Sequence, residues 1–425
     1  MERVATRVRY QVLGALCVAA ALAYVMRNAI GAAESTVRAD LGMSKEQSGV
    51  LMSAFFWPYA LFQIPAAALT QRIGFARALA LFAGLWSLAC ALFASGDFRM
   101  MVGARAFMGV AQAGIVPAAI GMLARWFPRS QQGFSAGSFA AALSFGSIIT
   151  APLTAWMTLT TGWRAMFVWY ALPGFLWAAW FLRWARNAPA NHPAVNGLER
   201  ALIEGGREDG GQHLGRETGW KAVLLSAPVF FLCAQQFCRA AVNIFFASWF
   251  TTYLQEARGL TLVRSGVLTM LPFFGDVCGS LLGGMISDWV LRRTGSERMA
   301  RQLLSAGAMG VCAVLVLVAG RVEGSVTAVC VISAGMFCGG VANPCMNATA
   351  MRVGGAHVAA LSGLANMCGN FGAASLPLAV PYLIRGPGGW DTVLKVFSGL
   401  YLVAGVAWIL VGASRSLRGA EAGQG

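Results

Sequence analysis

Arginine inside apolar runs is the first chemistry that this sequence offers. The stretch from Val12 to Ala33, VLGALCVAAALAYVMRNAIGAA, can cross a bilayer and holds one guanidinium, Arg27, with no carboxylate beside it. Central Arg costs roughly 2.5–3.5 kcal/mol on insertion scales, so such a residue either faces a wet cavity and works there or snorkels to the headgroups. Arg239, in CAQQFCRAAVNIFFASWF, lies eighteen residues after Lys221, just as Arg27 lies eighteen after Arg9. At about 1.5 Å per residue, equal offsets give equal depth if both helices start at the same surface. The planar fork of Arg pairs bidentately with carboxylate or phosphate, so two guanidiniums, one from each half of the chain, suit a small anion.

Asp276 is the single member of seventeen acidic residues that falls near the middle of an apolar run. It is either a proton-coupling group or the counter-ion of Arg239. Gly275, Gly279 and Gly283 recur at every fourth position beside it and permit close helix approach. Further polar side chains at depth are Tyr24, one turn before Arg27, Tyr59 and Gln63 one turn apart, Gln112, Asn243 one turn after Arg239, Asn366 and Asn370. Spacings of three or four residues put each of these pairs on one helical face. Each side chain reads either as a substrate contact or as an interhelical hydrogen bond. Arg105, seven residues before Gln112, lies at the outer end of its run, where it can pack under a loop. His192, His213 and His357 all fall in polar segments, which argues against a histidine relay through the membrane.

The elements that hold these residues are membrane helices. Of 425 residues, 57% are hydrophobic and only 12% charged, with a mean hydropathy of +0.63, a composition foreign to soluble domains. Twelve apolar windows stand near 10–34, 47–70, 77–96, 99–124, 133–158, 165–185, 222–253, 266–290, 302–320, 325–350, 358–384 and 392–413. The expected fold is all-α, with two six-helix halves at 1–185 and 222–413, a polar linker at 186–221 without helical periodicity, and a tail at 414–425. Placing the N-terminus inside leaves twenty Lys and Arg on the inner side and nine outside, with Arg27, Arg105 and Arg239 at membrane depth. That asymmetry puts both termini and the linker in the cytoplasm. It also explains the net charge of +15 without nucleic acid. The first run is too long for a secretory leader and reads as an uncleaved span. Ten scattered cysteines without a C-x-x-C support neither zinc nor a disulfide framework, and no metal or other cofactor is expected.

The halves echo each other. Ser48-Gly49-Val50-Leu51 opens the second window and Ser265-Gly266-Val267-Leu268 the eighth, and equivalent loop positions, Gln71 and Asp288, follow each serine by 23 residues. Duplicated six-helix halves with a site at mid-membrane are a transporter architecture.

The motifs FFWPYALFQIPAAALTQRIG (55–74), RAFMGVAQAGIVP (105–117), WFP (126–128), GWRAMF (162–167), RNAPANHPAVNGLE (186–199) and SGLANMCGNFG (362–372) together resemble the anion:cation symporter family of the major facilitator superfamily. The resemblance covers nearly all of 10–413 and implies a twelve-helix rocker-switch transporter of organic anions such as sugar acids, aromatic acids or dicarboxylates. Relatives usually read Y-x-D-R-x-N in the first span; here Tyr24 and Arg27 match, while Met26 and Ala29 replace the Asp and Asn. A Glu that usually follows R-x-x-x-G in the fourth span is Gln112 here, after Arg105 and Gly109. The loop motif G-x-x-x-D-R-x-G keeps Arg72 and Gly74 in the first half and Gly284 and Asp288 in the second.

These readings lead to a secondary active transporter of a small organic anion in the cytoplasmic membrane, working as a monomer with a proton or another ion as co-substrate. The anion would be bound by Arg27 and Arg239, and Asp276 would titrate if coupling is to protons. An anion exchanger of the organophosphate-antiporter kind is the alternative, and a non-transporting receptor that kept the fold is a third. An enzyme is not expected, since the sequence has no metal cluster, nucleophile elbow or phosphate loop.

Overall fold

The computed structural model describes residues 5–205, 226–354 and 358–421, and helices are the regular structure throughout them. The linker residues 206–221, with His213 and Lys221, and also His357, lie outside the described residues. In chain order the helices are α1 (Val8–Leu41), α2 (Lys45–Ser53), α3 (Phe56–Ile73), α4 (Phe75–Phe93), α5 (Phe98–Gln112), α6 (Ile115–Trp126), α7 (Arg129–Thr161) and α8 (Trp163–Trp184). A short α9 (Gly197–Gly205) follows, then α10 (Ala227–Ser248), α11 (Phe250–Glu256) and α12 (Leu262–Thr294). A π-helical turn (Arg298–Leu303) leads into α13 (Leu304–Arg321), followed by α14 (Ser325–Gly354), α15 (Val358–Arg385) and α16 (Gly389–Glu421). Among the described residues twelve helical stretches are long and apolar enough to cross a membrane, the number expected from the apolar windows.

Among the described residues three of the expected runs are interrupted within their length. The second breaks at Ala54–Phe55 between α2 and α3, the fourth at Ala113–Gly114 between α5 and α6, and the seventh at Trp249 between α10 and α11. Apolar windows carry no trace of these breaks, because hydropathy is continuous across them. Irregular backbone at membrane depth is tolerated where protein or a wet cavity surrounds it, and the first two breaks flank Arg27.

The chain forms two compact units, Met1–Met43 with Ala54–His213, and Ser44–Ser53 with Leu214–Gly425. In the first unit α1 packs along α7, and α4 along α8 and α5. Glycine sets these approaches: a Cβ on Gly146 of α7 would stand 2.6 Å from the Ala21 carbonyl oxygen and 3.0 Å from Tyr24 Cβ. In the second unit α12 lies along α14, α10 along α15, and α16 against α10 and α13. The glycine ridge predicted on α12 is the seam with α14, where a Cβ on Gly283 would stand 2.6 Å from Val341 Cα and one on Gly279 would strike the Phe337 carbonyl. Helix α2 belongs to this unit: Lys45 pairs with Glu256 at 2.6 Å, Arg385 with Glu46 at 2.7 Å, and Ser53 Oγ donates to the Ala374 carbonyl at 2.6 Å.

The start of the linker is not structureless. Asn196 Oδ1 accepts from Glu199 N at 2.9 Å and opens α9. The fully buried Glu199 carboxylate then accepts from Thr6 Oγ1 (2.6 Å), Val8 N (3.1 Å), Arg9 N (3.2 Å) and Arg9 Nη1 (2.9 Å). Arg7 supplies no side-chain cap to α1, so a carboxylate 190 residues away satisfies its first amide groups. Contrary to the expectation of no helical periodicity in this stretch, Leu198 and Leu202 stand four apart and Ile203 is buried, and the Glu199 contact with α1 ties the element down.

Candidate functional site

Helix α1 carries Arg27 with side chain and backbone both engaged. The residue is 7% exposed. Its Nε donates to Gln112 Oε1 at 2.9 Å, and its guanidinium carbon lies 4.4 Å from the Tyr24 ring centre, 4.6 Å from Phe55 and 4.7 Å from Tyr59. Each aromatic face contributes on the order of 0.5–2 kcal/mol to holding a cation. Among the described residues Arg27 Nη2 is buried and makes no hydrogen bond. A guanidinium fixed along one edge and unsatisfied along the other is suited to an incoming oxyanion, which would supply the missing acceptor.

Helices on either side of the two breaks position this group. A Cβ on Gly109 would strike the Phe55 carbonyl and stand 3.2 Å from the Tyr59 amide nitrogen, so α5 approaches this segment more closely than any larger residue permits. This puts Gln112, at the last turn of α5, against α1, where its Nε2 donates to the Ala23 carbonyl at 3.0 Å. Gln112 is fully buried and both ends of its amide are engaged by protein. Arg105 does not pack under a loop: it is 3% exposed, donates from Nη1 to the Arg27 carbonyl at 2.9 Å, and lies 5.1 Å from the same Phe55 ring. The expected packing under a loop is replaced by this tertiary bond, which its place in the run does not reveal. Gln63 is half-buried on α3, one turn beyond Tyr59.

The second unit holds a separate polar group. Arg239 is partly exposed on α10 and its Nη2 donates to Gln236 Oε1 at 3.5 Å. Asn243, one turn on, has a buried Oδ1 without a hydrogen-bond partner among the described residues. Asp276 of α12 lies near Asn343 of α14 and feels the positive charge of Arg239 without direct pairing between the two. Asn343 Nδ2 donates to Ser280 Oγ at 2.7 Å, and Ser280 Oγ donates to the Gly340 carbonyl at 3.2 Å. Asn370 Nδ2 donates to the Asn366 carbonyl at 2.8 Å along α15, and Asn366 is exposed. Asn343 and Ser280 give no signal in the sequence because single Asn and Ser residues in apolar helices are common.

The loop motif residues divide by role. Gly74 adopts φ +87°, and a side chain there would meet the Asn187 amide. Asn187 Oδ1 in turn accepts from Ala76 N at 2.9 Å at the start of α4. Arg72 and Asp288 are exposed.

Comparison with known proteins gives this geometry its setting. The family model of the Major Facilitator Superfamily matches residues 16–377. The chain belongs to the Major Facilitator Superfamily. It is thus a multi-pass membrane transporter and not an enzyme. A probable galactarate/D-glucarate transporter of Bacillus subtilis strain 168 is 29% identical over 94% of this chain and 91% of its own length. A probable sulfoacetate transporter of Cupriavidus necator is 28% identical over 69% of this chain and 68% of its own. A D-galactonate transporter of Escherichia coli O6:H1 is 26% identical over 95% and 96%. Among solved structures, a bacterial homologue of the human lysosomal transporter Spinster, inward-facing and unoccupied, superposes with a TM-score of 0.72 over 96% of this chain and 95% of that one. At 16% identity it shows the fold alone.

Proposed function

We propose that this superfamily member carries a small organic anion, a carboxylate or sulfonate of sugar-acid size, across the cytoplasmic membrane by secondary active transport, as a monomer with both termini in the cytoplasm. The observation that carries the reading is the Arg27 guanidinium, walled by three aromatic rings and left with an unsatisfied buried Nη2. The names of the relatives, which include sugar acids and a sulfonate, agree with it. Tyr24 and Tyr59 would contact the substrate beside Arg27, with Arg239, Asn243, Gln63, Asn366 and Asn370 as the further polar contacts. Asp276, near Asn343 and within the field of Arg239, is the group proposed to take up the coupling proton. Arg72, Gly74 and Asp288 would serve the loops that reorganise during the transport cycle.

Anion exchange is the second reading, favoured by the neutral Gln112 where relatives usually carry a Glu. Uptake of labelled D-glucarate, D-galactonate and sulfoacetate into proteoliposomes, with and without an inward proton gradient, tests both. Symport predicts gradient-driven uptake that Asp276→Asn abolishes. Uptake that ignores the gradient and needs an internal anion selects exchange, and the absence of uptake for any of these anions would sink the transport reading for this substrate class.

A further inference from the structure

The geometry points to an anion site at Arg27 that needs no proton, because Gln112 reproduces permanently the hydrogen bonding of a protonated carboxylic acid. This rests on the anion-binding role proposed for Arg27 above. The amide makes two bonds of opposite sense: Oε1 accepts from Arg27 Nε at 2.9 Å, and Nε2 donates to the Ala23 carbonyl at 3.0 Å. A carboxylate at this position could make the first bond but would set an anionic oxygen against the Ala23 carbonyl, acceptor against acceptor. A protonated Glu could make both, with its C=O toward Arg27 and its O–H toward Ala23. Gln is the isostere of that protonated form and cannot lose the equivalent proton. The usual carboxylate of the first span is also missing: Met26 is 1% exposed and its Cε lies 3.1 Å from a Cβ position on Gly174, in apolar packing with α8.

Among the described residues nothing else around the guanidinium supplies a titrating acid. From α1 itself come Tyr24 and, two turns on, Glu34, which is buried and paired with Arg38 at 2.7 Å. Tyr59 comes from α3 and Arg105 from α5, while α6 and α7 carry no Asp, Glu or His. Phenols, thiols and guanidiniums do not change charge between about pH 5 and 8 unless strongly perturbed. The site therefore keeps its positive charge over that range, and among the described residues no carboxylate pairs with Arg27. Its ligand class is an anion already ionised in solution, sulfonates as readily as carboxylates, and binding at this unit carries no proton with it. Any proton that accompanies transport must then be bound away from the groups around Arg27, and Asp276 is the group proposed above.

The test is the pH dependence of binding to the purified full chain in nanodiscs, by calorimetry with D-glucarate and with sulfoacetate from pH 5.5 to 8.5, where both probes are fully ionised. Measurements on Asp276→Asn alongside the parent remove any contribution from the second unit. The expected result is a Kd constant to about twofold in the Asp276→Asn protein, with no proton taken up on binding in weak buffer. Adding Gln112→Glu should make Kd rise about tenfold per pH unit above the pKa of the introduced group, with close to one proton taken up per anion. A Kd that rises with pH in the Asp276→Asn protein overturns the inference without any change at Gln112, so the test stands even if Gln112→Glu does not fold. A folded Gln112→Glu protein with a flat profile overturns it as well. Binding of neither probe at any pH removes the anion-binding reading itself, and this inference with it.

Discussion

Replacing Glu199 with Ala should loosen the first unit from its N-terminal end. The wild-type carboxylate accepts four hydrogen bonds, two from the first amide groups of α1, one from Thr6 and one from the Arg9 guanidinium. Loss of an N-terminal cap costs about 0.5–2 kcal/mol, and breaking a buried ion pair from one side costs about 3–5 kcal/mol where the remaining charge has no escape. Arg9 is 7% exposed and lies two residues into its helix, so it can turn partly to water. The combined loss should be about 3 kcal/mol, which for a unit of this size lowers Tm by about 6–12 °C. Thermal unfolding of detergent-purified protein can be followed with a thiol-reactive dye, since Cys90 and Cys312 are fully buried. Arg9→Met combined with Glu199→Ala should show a coupling of at least about 1 kcal/mol in a double-mutant cycle. A Glu199→Ala protein that melts within about a degree of the parent, with additive behaviour in the cycle, would refute this account of how the N-terminus is held.

Acid should weaken the neighbouring part of the linker. His192 is 5% exposed between the edges of Trp126 and Trp184, and burial, reinforced by the Arg186 charge, pushes its pKa below 6.5. The unfolded chain then binds more protons in that window, so the contribution is complete above about pH 6.5 and is lost as pH falls through the folded-state value. Melting curves from pH 7.5 to 5 should show the loss in the parent and a shallower slope in His192→Asn. On the α12–α14 seam, Gly279→Ala should cost about 1–3 kcal/mol by forcing the backbones apart, whereas Gly310→Ala on α13, with open space around it, should leave the melt unchanged or raise it, by up to about 1 kcal/mol. Gly74→Ala should destabilise the loop between α3 and α4, since φ is +87° and the Asn187 amide fills the space. Limited proteolysis of the two proteins side by side would reveal it, and equal cleavage rates would argue against the strain.

The spans were legible because twenty consecutive apolar residues have few other uses in a chain of this composition. Arg27 was legible for the same reason in reverse, as a charge where charge is costly, and Tyr24 followed from helical spacing, whereas the place of Tyr59 beside Arg27 did not. Phe55 was not, since one aromatic among many gives no signal until the break at Ala54–Phe55 turns its ring beneath two guanidiniums. Distance along the run suggests that Arg105 packs under a loop, but distance cannot show the bond its side chain makes to the Arg27 carbonyl. Glu199 gives no sign of its role in the stretch RNAPANHPAVNGLE, because a contact across 190 residues leaves no local pattern. Gln112 was visible as a departure from the family motif, but the opposite senses of its two hydrogen bonds come only from coordinates.

The most direct test of the central claim is uptake of labelled anion by proteoliposomes containing Arg27→Ala, with Arg27→Lys beside it and equal melting temperatures confirmed for all three proteins. Removing a charge-assisted, bidentate pairing from a buried site costs about 3 kcal/mol, a factor of roughly 100 in binding. The account predicts at least that loss for Arg27→Ala and a partial loss for Arg27→Lys, which keeps the charge but not the fork. Uptake by Arg27→Ala at the parent's rate and apparent affinity would contradict it, because the anion would then be bound elsewhere.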